Sequence, residues 1–348
     1  MRFLRKIFNC MFKEEVKNTM RERFRCLFIR IDKQIVYKEY LKAVKYILKQ
    51  YVIHDKGNGY GYRDNKFLHA IKNEFIRCSI MHGKFSVRDE KMQECIDYSI
   101  NTGLDVYCGS LDGLILCSQD DVDYDEKNGL IYGLYEGKKL YFSEATKNIQ
   151  QAWQELNGLA AEQSEHSPHR YLSEDFNVSS EDIVFDVGCA DGNFALSIVE
   201  QAKEVYLFEV EERWMKPLRL TFEPYKDKVH IIKKCVTNKN DNISVSIDKF
   251  CLENGIEKIG LLKMDVEGYE RAVLSGAERM LREKRIEKIA VCTYHRLNDE
   301  QELGKILDGY KKETAEGYML GSLIYDIGEI KPPYFTKGVL RAKLWGLV

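Results

Sequence analysis

The chain has 348 residues, 44% of them hydrophobic and 31% charged, which is globular composition with room for about two separate cores. No proline occurs before Pro168, which excludes a Pro-rich stalk there, and no run reaches the roughly eighteen unbroken apolar residues of a membrane span. The net charge is −2, but residues 1–50 alone carry +9, so the other 298 residues sum to −11.

The N-terminus is basic and its apolar stretches are interrupted. Phe3, Leu4, Ile7, Phe8 and Phe12 interleave with Arg2, Arg5, Lys6 and Lys13. Without a continuous apolar core and a small-residue cleavage site, this is not a secretory signal. It suits either a solvated helix face or an interfacial helix on an anionic bilayer. The expectation is a cytoplasmic protein with a solvated helix face here, and peripheral contact at the inner membrane face through this arm is the alternative. The ten cysteines form neither a CxxC pair nor a zinc-spaced Cys/His cluster, and they read as small buried side chains.

Val36, Tyr40, Val44 and Leu48 recur every four residues, which predicts an amphipathic helix over about 34–52. Further helical patterns cover about 65–81 and 89–100. The acidic run Asp120, Asp121, Asp123, Asp125, Glu126 lacks EF-hand spacing and reads as a solvated loop. LIYGLYEGKKLYFS predicts a β-hairpin, and a helix follows over about 144–162.

From Asp182 the grammar changes. IVFDVG, EVYLFEV, VHIIKKCV, IGLLKMDV and IEKIAVCTY are apolar runs separated by helical or turn segments. Such alternation predicts a mostly parallel sheet covered by helices, and the tail, about 315–345, suits an antiparallel edge. The division expected is a mainly helical domain over 1–125, a hairpin and connecting helix over 126–174, and a sheet domain over 175–348.

The chemistry concentrates in Asp186-Val-Gly188-Cys-Ala190-Asp191-Gly192, between a strand and a helix. Gly188 permits a tight turn, while Ala190 and Gly192 allow close backbone approach to a ligand. An ordinary strand–helix turn uses the same residues. Glu209, 21 positions after Gly188, ends the next strand, where a carboxylate can accept from both ribose hydroxyls of a nucleoside. The dinucleotide fingerprint Gly-x-Gly-x-x-Gly is not met. An acid before the first glycine repels pyrophosphate and suits a ligand bearing an ammonium group.

Asp186-x-Gly188-x-Ala190-x-Gly192 resembles motif I of Rossmann-like methyltransferases that use S-adenosyl-L-methionine (SAM). Lys263-Met-Asp265-Val-Glu267-Gly-Tyr-Glu270 resembles the corresponding block of the FkbM methyltransferase family. Ile247-Asp248-Lys249-Phe250 and Tyr294-His295 extend the resemblance, which covers about 182–310. It departs from the family pattern at Cys189-Ala190 and at Val210, and neither change removes a charge. The resemblance implies the class I methyltransferase sheet, SAM as cofactor, and O-methylation of a saccharide, glycan or natural product. Alternatives are an N-methyltransferase, a small-molecule methyltransferase, or a catalytically silent SAM-fold partner. No nucleic acid is expected, since no RNA-binding aromatic motif accompanies the basic arm.

On this reading Asp186, Gly188, Ala190, Asp191, Gly192, Glu209 and Asp265 hold the cofactor. His295, after the fifth strand, is the leading general base and Asp265 the second. Glu267 and Glu270 bind the acceptor or cap backbone N–H groups, and His169 and Arg170, ahead of motif I, line the acceptor side. Lys263 either neutralises buried acids or sits at a solvated edge. No metal is expected, because the sequence does not make Asp265, Glu267 and Glu270 converge.

Overall fold

The structure is a computed structural model, and it describes residues 80, 87, 89–102, 106–107, 111, 114–296, 298–320 and 334–346. The expected helix over 34–52, nearly all of that over 65–81, and the basic arm lie outside the described residues. The chain divides into two compact units, Met1–Gly109 with Tyr318–Thr336, and Ser110–Gly317 with Lys337–Val348. Among the described residues no helix is long and apolar enough to cross a membrane.

In the first unit a helix runs Glu90–Asn101, close to the expected 89–100. Asp89 caps it by accepting from the Met92 N–H at 3.1 Å. Cys95 and Ile96 turn inward onto Tyr334 and onto Leu320 and Phe335, the last two belonging to a short antiparallel pair, Met319–Leu320 against Phe335–Thr336.

The second unit opens with an antiparallel sheet of β1 (Val122–Asp125), β2 (Leu130–Tyr135) and β3 (Lys138–Tyr141). The acidic run is therefore not simply a solvated loop. Ser118 and Asp121 close a capping box around a 3-10 turn at Gln119–Asp121, and the chain enters β1 directly. The hairpin between β2 and β3 is as expected, with Glu136 at φ 49° and Gly137 at φ 76° forming its two-residue turn. α1 (Ile149–Glu162) follows, N-capped by Asn148, whose side chain accepts from the Gln151 N–H at 2.8 Å. Fully buried Leu140 and Leu156 join this layer to the main core, each contributing about 1.5–3 kcal/mol.

The main sheet begins at β4 (Ile183–Val187), followed by α2 (Asn193–Ile198), β5 (Glu204–Phe208), α3 (Glu212–Phe222) and β6 (Val229–Ile232). The run VHIIKKCV is not one strand. After β6 the chain leaves the sheet, and β7 (Cys235–Val236) pairs only with β8 (Ser244–Val245). α4 (Ile247–Glu253) leads to β9 (Ile259–Met264). α5 (Glu270–Ser275) and α6 (Glu278–Arg282) connect it to β10 (Ile286–Cys292). α7 (Asp299–Ile306), β11 (Tyr310–Thr314) and β12 (Val339–Leu344) close the unit.

The seven strands lie in the order β11-β12-β10-β9-β4-β5-β6. β10, β9, β4, β5 and β6 are parallel, and β12 is antiparallel to both β10 and β11. The mostly parallel sheet with an antiparallel edge is thus present. All six residues of β9 are buried, as a central strand covered on both faces requires. Strand order reverses between β4 and β9, and a doubly wound sheet opens its ligand crevice at the carboxyl ends flanking such a reversal.

Candidate functional site

Two groups of residues meet at that reversal. The first is the turn from β4 into α2, together with the end of β5. Gly188 has φ 72°, and a Cβ there would lie 2.0 Å from the Asp265 carbonyl oxygen, so the nearness of the β9 end demands glycine. Gly192 has φ 83°, and a Cβ would meet Phe222 and Leu218 at 2.8 and 2.9 Å. Its smallness therefore serves the packing of α2 on α3 rather than ligand approach. Ala190, at φ 47°, completes the left-handed turn.

Glu209 holds this turn from below. Its Oε2 accepts from the Ala190 N–H at 3.1 Å, and its Oε1 accepts from the Val210 and Glu211 N–H groups at 2.6 and 2.8 Å. Glu209 is buried, and Oε2, which accepts a single N–H, keeps acceptor capacity for a ligand hydroxyl. Asp186 lies deeper than expected and is fully buried. Parallel register sets it beside Lys263 on β9, and Lys263 Nζ reaches Asp186 Oδ1 at 2.9 Å and the Gly188 carbonyl at 2.9 Å. Burial pushes the Asp186 carboxyl up, and the Lys263 ammonium opposes that shift. Burial alone would lower Lys263, but the charges of Asp186 and Asp265 hold it above its ordinary value. Lys263 thus neutralises a buried acid and braces the loop. Asp191 is half-buried and accepts from the Asn193 N–H at 2.9 Å, and burial pushes its carboxyl up to about 7.

The second group surrounds Asp265, the first residue past β9. Tyr171 Oη donates to Asp265 Oδ2 at 3.0 Å, and Tyr294 Oη donates to both carboxylate oxygens at 3.2 Å. His169 Nε2 lies 3.4 Å from Oδ2, and His295 Nε2 lies 3.3 Å from Oδ1. Burial would raise this carboxyl, but His169, through a hydrogen bond and charge, with Lys263 and His295, holds it well below the usual carboxylate range.

His295 is itself enclosed by acids. Its Nδ1 meets Glu270 Oε1 at 2.7 Å, and its Nε2 faces Glu267 Oε2 at 3.6 Å as well as Asp265. Burial opposes protonation, but the Glu270 hydrogen bond and the charges of Asp265, Glu270 and Glu267 raise its pKa. Glu270 also accepts from the Val266 and Gly268 N–H groups, each at 3.3 Å, so it braces the turn after β9 as the capping alternative foresaw. Glu267, at φ 51°, is thrown outward on that turn.

The structure brings together Asp265, Glu267, Glu270, His295 and His169, and separately Asp186, Gly188, Ala190, Asp191, Gly192 and Glu209. It does not bring Arg170 to either group. Arg170 lines a surface hollow with Glu136, Glu165 and Gln201. Its carbonyl, with those of Tyr171 and Leu172, accepts from Arg341, which pins this segment to β12. His169 is buried against Tyr294 Oη at 2.9 Å and acts on Asp265 rather than on an open acceptor side. Sequence reasoning gave no role to Tyr171 or Tyr294. The available signal was their placement, one two residues after His169 and the other beside His295.

A SAM molecule fits the first group on the chemistry of its donors. Glu209 suits the ribose hydroxyls, and the half-buried Asp191 suits a cationic amino group near the loop. Residues 237–316 match the family described as the Methyltransferase FkbM domain. No curated protein matches the chain. Among solved structures, a methyltransferase FkbM from Methylobacillus flagellatus KT is similar at 18% identity and TM-score 0.39, over 56% of this chain and 54% of that one. The chain therefore spans about half the length of that protein. A precorrin-6y C5,15-methyltransferase from Geobacter metallireducens GS-15 is similar at 12% identity and TM-score 0.35, over 58% of this chain and 94% of that one. An rRNA methylase from Streptococcus thermophilus is similar at 16% identity and TM-score 0.32, over 48% of this chain and 89% of that one. The Asp186–Gly192 motif and the strand order agree with the class I methyltransferase sheet, and residues 237–316 within it are similar to the FkbM methyltransferase domain.

Proposed function

We propose that this domain transfers the methyl group of SAM to a hydroxyl of a saccharide or glycan precursor. When bound, the cofactor supplies an electrophilic methyl carbon on a sulfonium. The acceptor oxygen forms a bond to that carbon, the carbon–sulfur bond breaks with its electron pair returning to sulfur, and the hydroxyl proton is lost. The residues of this chain align the reactants and manage that proton. Glu209 and the Gly188–Gly192 turn hold the donor at one side of the crevice, and Asp265 with His295 activates the acceptor hydroxyl at the other. Much of the acceleration comes from holding oxygen, carbon and sulfur in line.

The observation that carries the reading is the convergence of Asp265, His295 and Glu270 at the carboxyl end of β9, across the strand reversal from Glu209. Exposed Tyr269, on the turn that carries Glu267, offers an aromatic face to a sugar. We read the acceptor as a saccharide rather than nucleic acid, and the setting as cytoplasmic, with the basic arm touching an anionic membrane surface that carries a lipid-linked acceptor.

Three measurements test this. S-adenosylhomocysteine (SAH) should bind the protein in calorimetry, and glycans from cells with and without the gene should differ by one methylene in mass. His295→Ala should retain SAH binding and lose turnover by roughly 10²–10⁴-fold. Methyl transfer to RNA but not to glycans would overturn the acceptor class. Undiminished turnover of the His295 variant would remove that residue from the chemistry.

A further inference from the structure

We propose that Asp265, Glu267 and His295 bind a divalent first-row transition ion at the carboxyl edge of β9 and β10, with Glu270 as its outer support. His295 carries the argument. Its side chain is only 2% exposed, and its Nε2 is buried without a hydrogen-bond partner. Two carboxylate oxygens face that nitrogen, Asp265 Oδ1 at 3.3 Å and Glu267 Oε2 at 3.6 Å. Glu270 binds Nδ1 at 2.7 Å, which in neutral imidazole places the proton on Nδ1 and the lone pair on Nε2. With the ring neutral, that lone pair faces two carboxylates, and the position between them is filled either by a proton or by a cation.

The spacing suits a metal ion. Bonds of about 2.1 Å hold neighbouring ligand atoms about 3.0–3.4 Å apart, so the Asp265 contact to Nε2 already has that spacing, Asp265, Glu270 and His295 bring ligand atoms within 4.8 Å of one another, and Glu267 must swing toward Asp265 to complete the set. Glu267 can make that movement, since its side chain is 88% exposed and unpacked. The carboxylate–histidine pair behind the ion has the form in which ligating histidines are usually held, with the distal ring N–H on an acid. Imidazole with two carboxylates favours manganese, iron or zinc over magnesium and calcium.

The neighbouring trio His169, Asp265 and Cys292 is the weaker position. His169 Nε2 is already engaged by Tyr294 Oη at 2.9 Å, and Asp265 Oδ2 accepts from Tyr171 at 3.0 Å. Asp265 Oδ1, on the side of His295, is the freer oxygen.

What such an ion would do rests on the methyl-transfer reading above. It would bind the acceptor oxygen and ease loss of the hydroxyl proton to water, with His295 serving as ligand instead of taking the proton itself. Binding can be tested without turnover. The full-length protein is titrated with Mn²⁺, free aquo-ion is followed by electron paramagnetic resonance, and SAH binding is measured on the same samples. One Mn²⁺ per chain is expected. Glu270→Gln should weaken it about 10–100-fold, with losses at least as large for His295→Ala and Glu267→Gln, while SAH affinity is kept. Glu267→Gln alters an exposed side chain, so it carries the test should His295→Ala fail to fold. Absence of Mn²⁺ binding at millimolar concentration, or equal affinity in Glu267→Gln, would overturn the proposal. So would loss of the ion in His169→Gln with retention in His295→Ala, which places it at the other trio. Failure of SAH to bind the unaltered protein would sink the methyltransferase reading and leave the Mn²⁺ result standing on its own.

Discussion

The two sides of the crevice are both rich in carboxylates, but they dispose of negative charge differently. At the ends of β4 and β5 each acid has a partner supplied by the fold. Asp186 has Lys263, Glu209 has three backbone N–H groups, and Asp191 has the Asn193 N–H. At the ends of β9 and β10, Asp265, Glu267 and Glu270 converge on one histidine, and the ring nitrogen between two of them makes no hydrogen bond. On the first side Lys263 and backbone N–H groups offset much of that charge. The second is complete only when something positive, a proton or a bound ion, joins it. On the proposed reading the first side holds the donor and the second sets the acceptor chemistry.

The largest expected effect tests whether the donor side is as closed as it looks. Lys263→Met leaves Asp186 buried without a counter-charge, and breaking such a pair costs about 3–5 kcal/mol. Urea unfolding should show that loss. If Lys263→Met instead unfolds at the same urea concentration as the unaltered chain, the pair does not brace the loop. A smaller effect should fall on ligand binding, together with a loss of stability from the three backbone N–H groups that Glu209 holds. Glu209→Ala removes charge-assisted hydrogen bonds to ribose worth about 1.5–3 kcal/mol, so SAH affinity should fall at least tenfold by calorimetry. Equal affinity would mean that the ribose does not lie there. On the acceptor side, Tyr171→Phe removes one donor to Asp265. We expect a modest loss of stability, about 1 kcal/mol, with SAH affinity unchanged. Coupled losses in both would show that the two sides are not independent.

The donor side was the more legible of the two in sequence. Asp186, Gly188 and Glu209 lie within one strand–turn–helix–strand unit, so local spacing alone places them. Even there the reasons differed, because glycine at 188 and 192 answers to the Asp265 carbonyl and to Phe222, contacts distant in sequence. The acceptor side draws on three separated segments, 169–171, 265–270 and 294–295. Their convergence depends on β9 and β10 being neighbours in register and on Arg341 pinning the first segment, neither of which periodicity encodes. Strand β1 was hidden for a related reason. An acidic run reads as loop, yet an edge strand with one solvated face tolerates it. The break after β6 left no mark in an apolar run that changes sheets midway.

Asp191 offers the finest distinction between the two sides, because like Asp186 it is raised by burial, yet among the described residues it has no cation beside it. In the unfolded chain its carboxyl titrates near 3.9, whereas burial in the folded loop pushes it to about 7. Between about pH 4 and 7 the native state therefore holds a proton that the unfolded state has lost. Stability falls as pH rises through this window, and above about pH 7 the penalty is constant. Half-exposure to water discounts it to about 1 kcal/mol. Asp191→Asn keeps an oxygen for the Asn193 N–H and cannot ionise. The variant should match the unaltered protein near pH 4, gain on it up to about pH 7, and then run parallel, in urea unfolding measured across the range. A constant difference at every pH would show that Asp191 is as fully compensated as Glu209. SAH, which carries the same amino group as SAM, should lessen the gain if that ammonium lies beside Asp191, since a bound positive charge favours the ionised carboxylate.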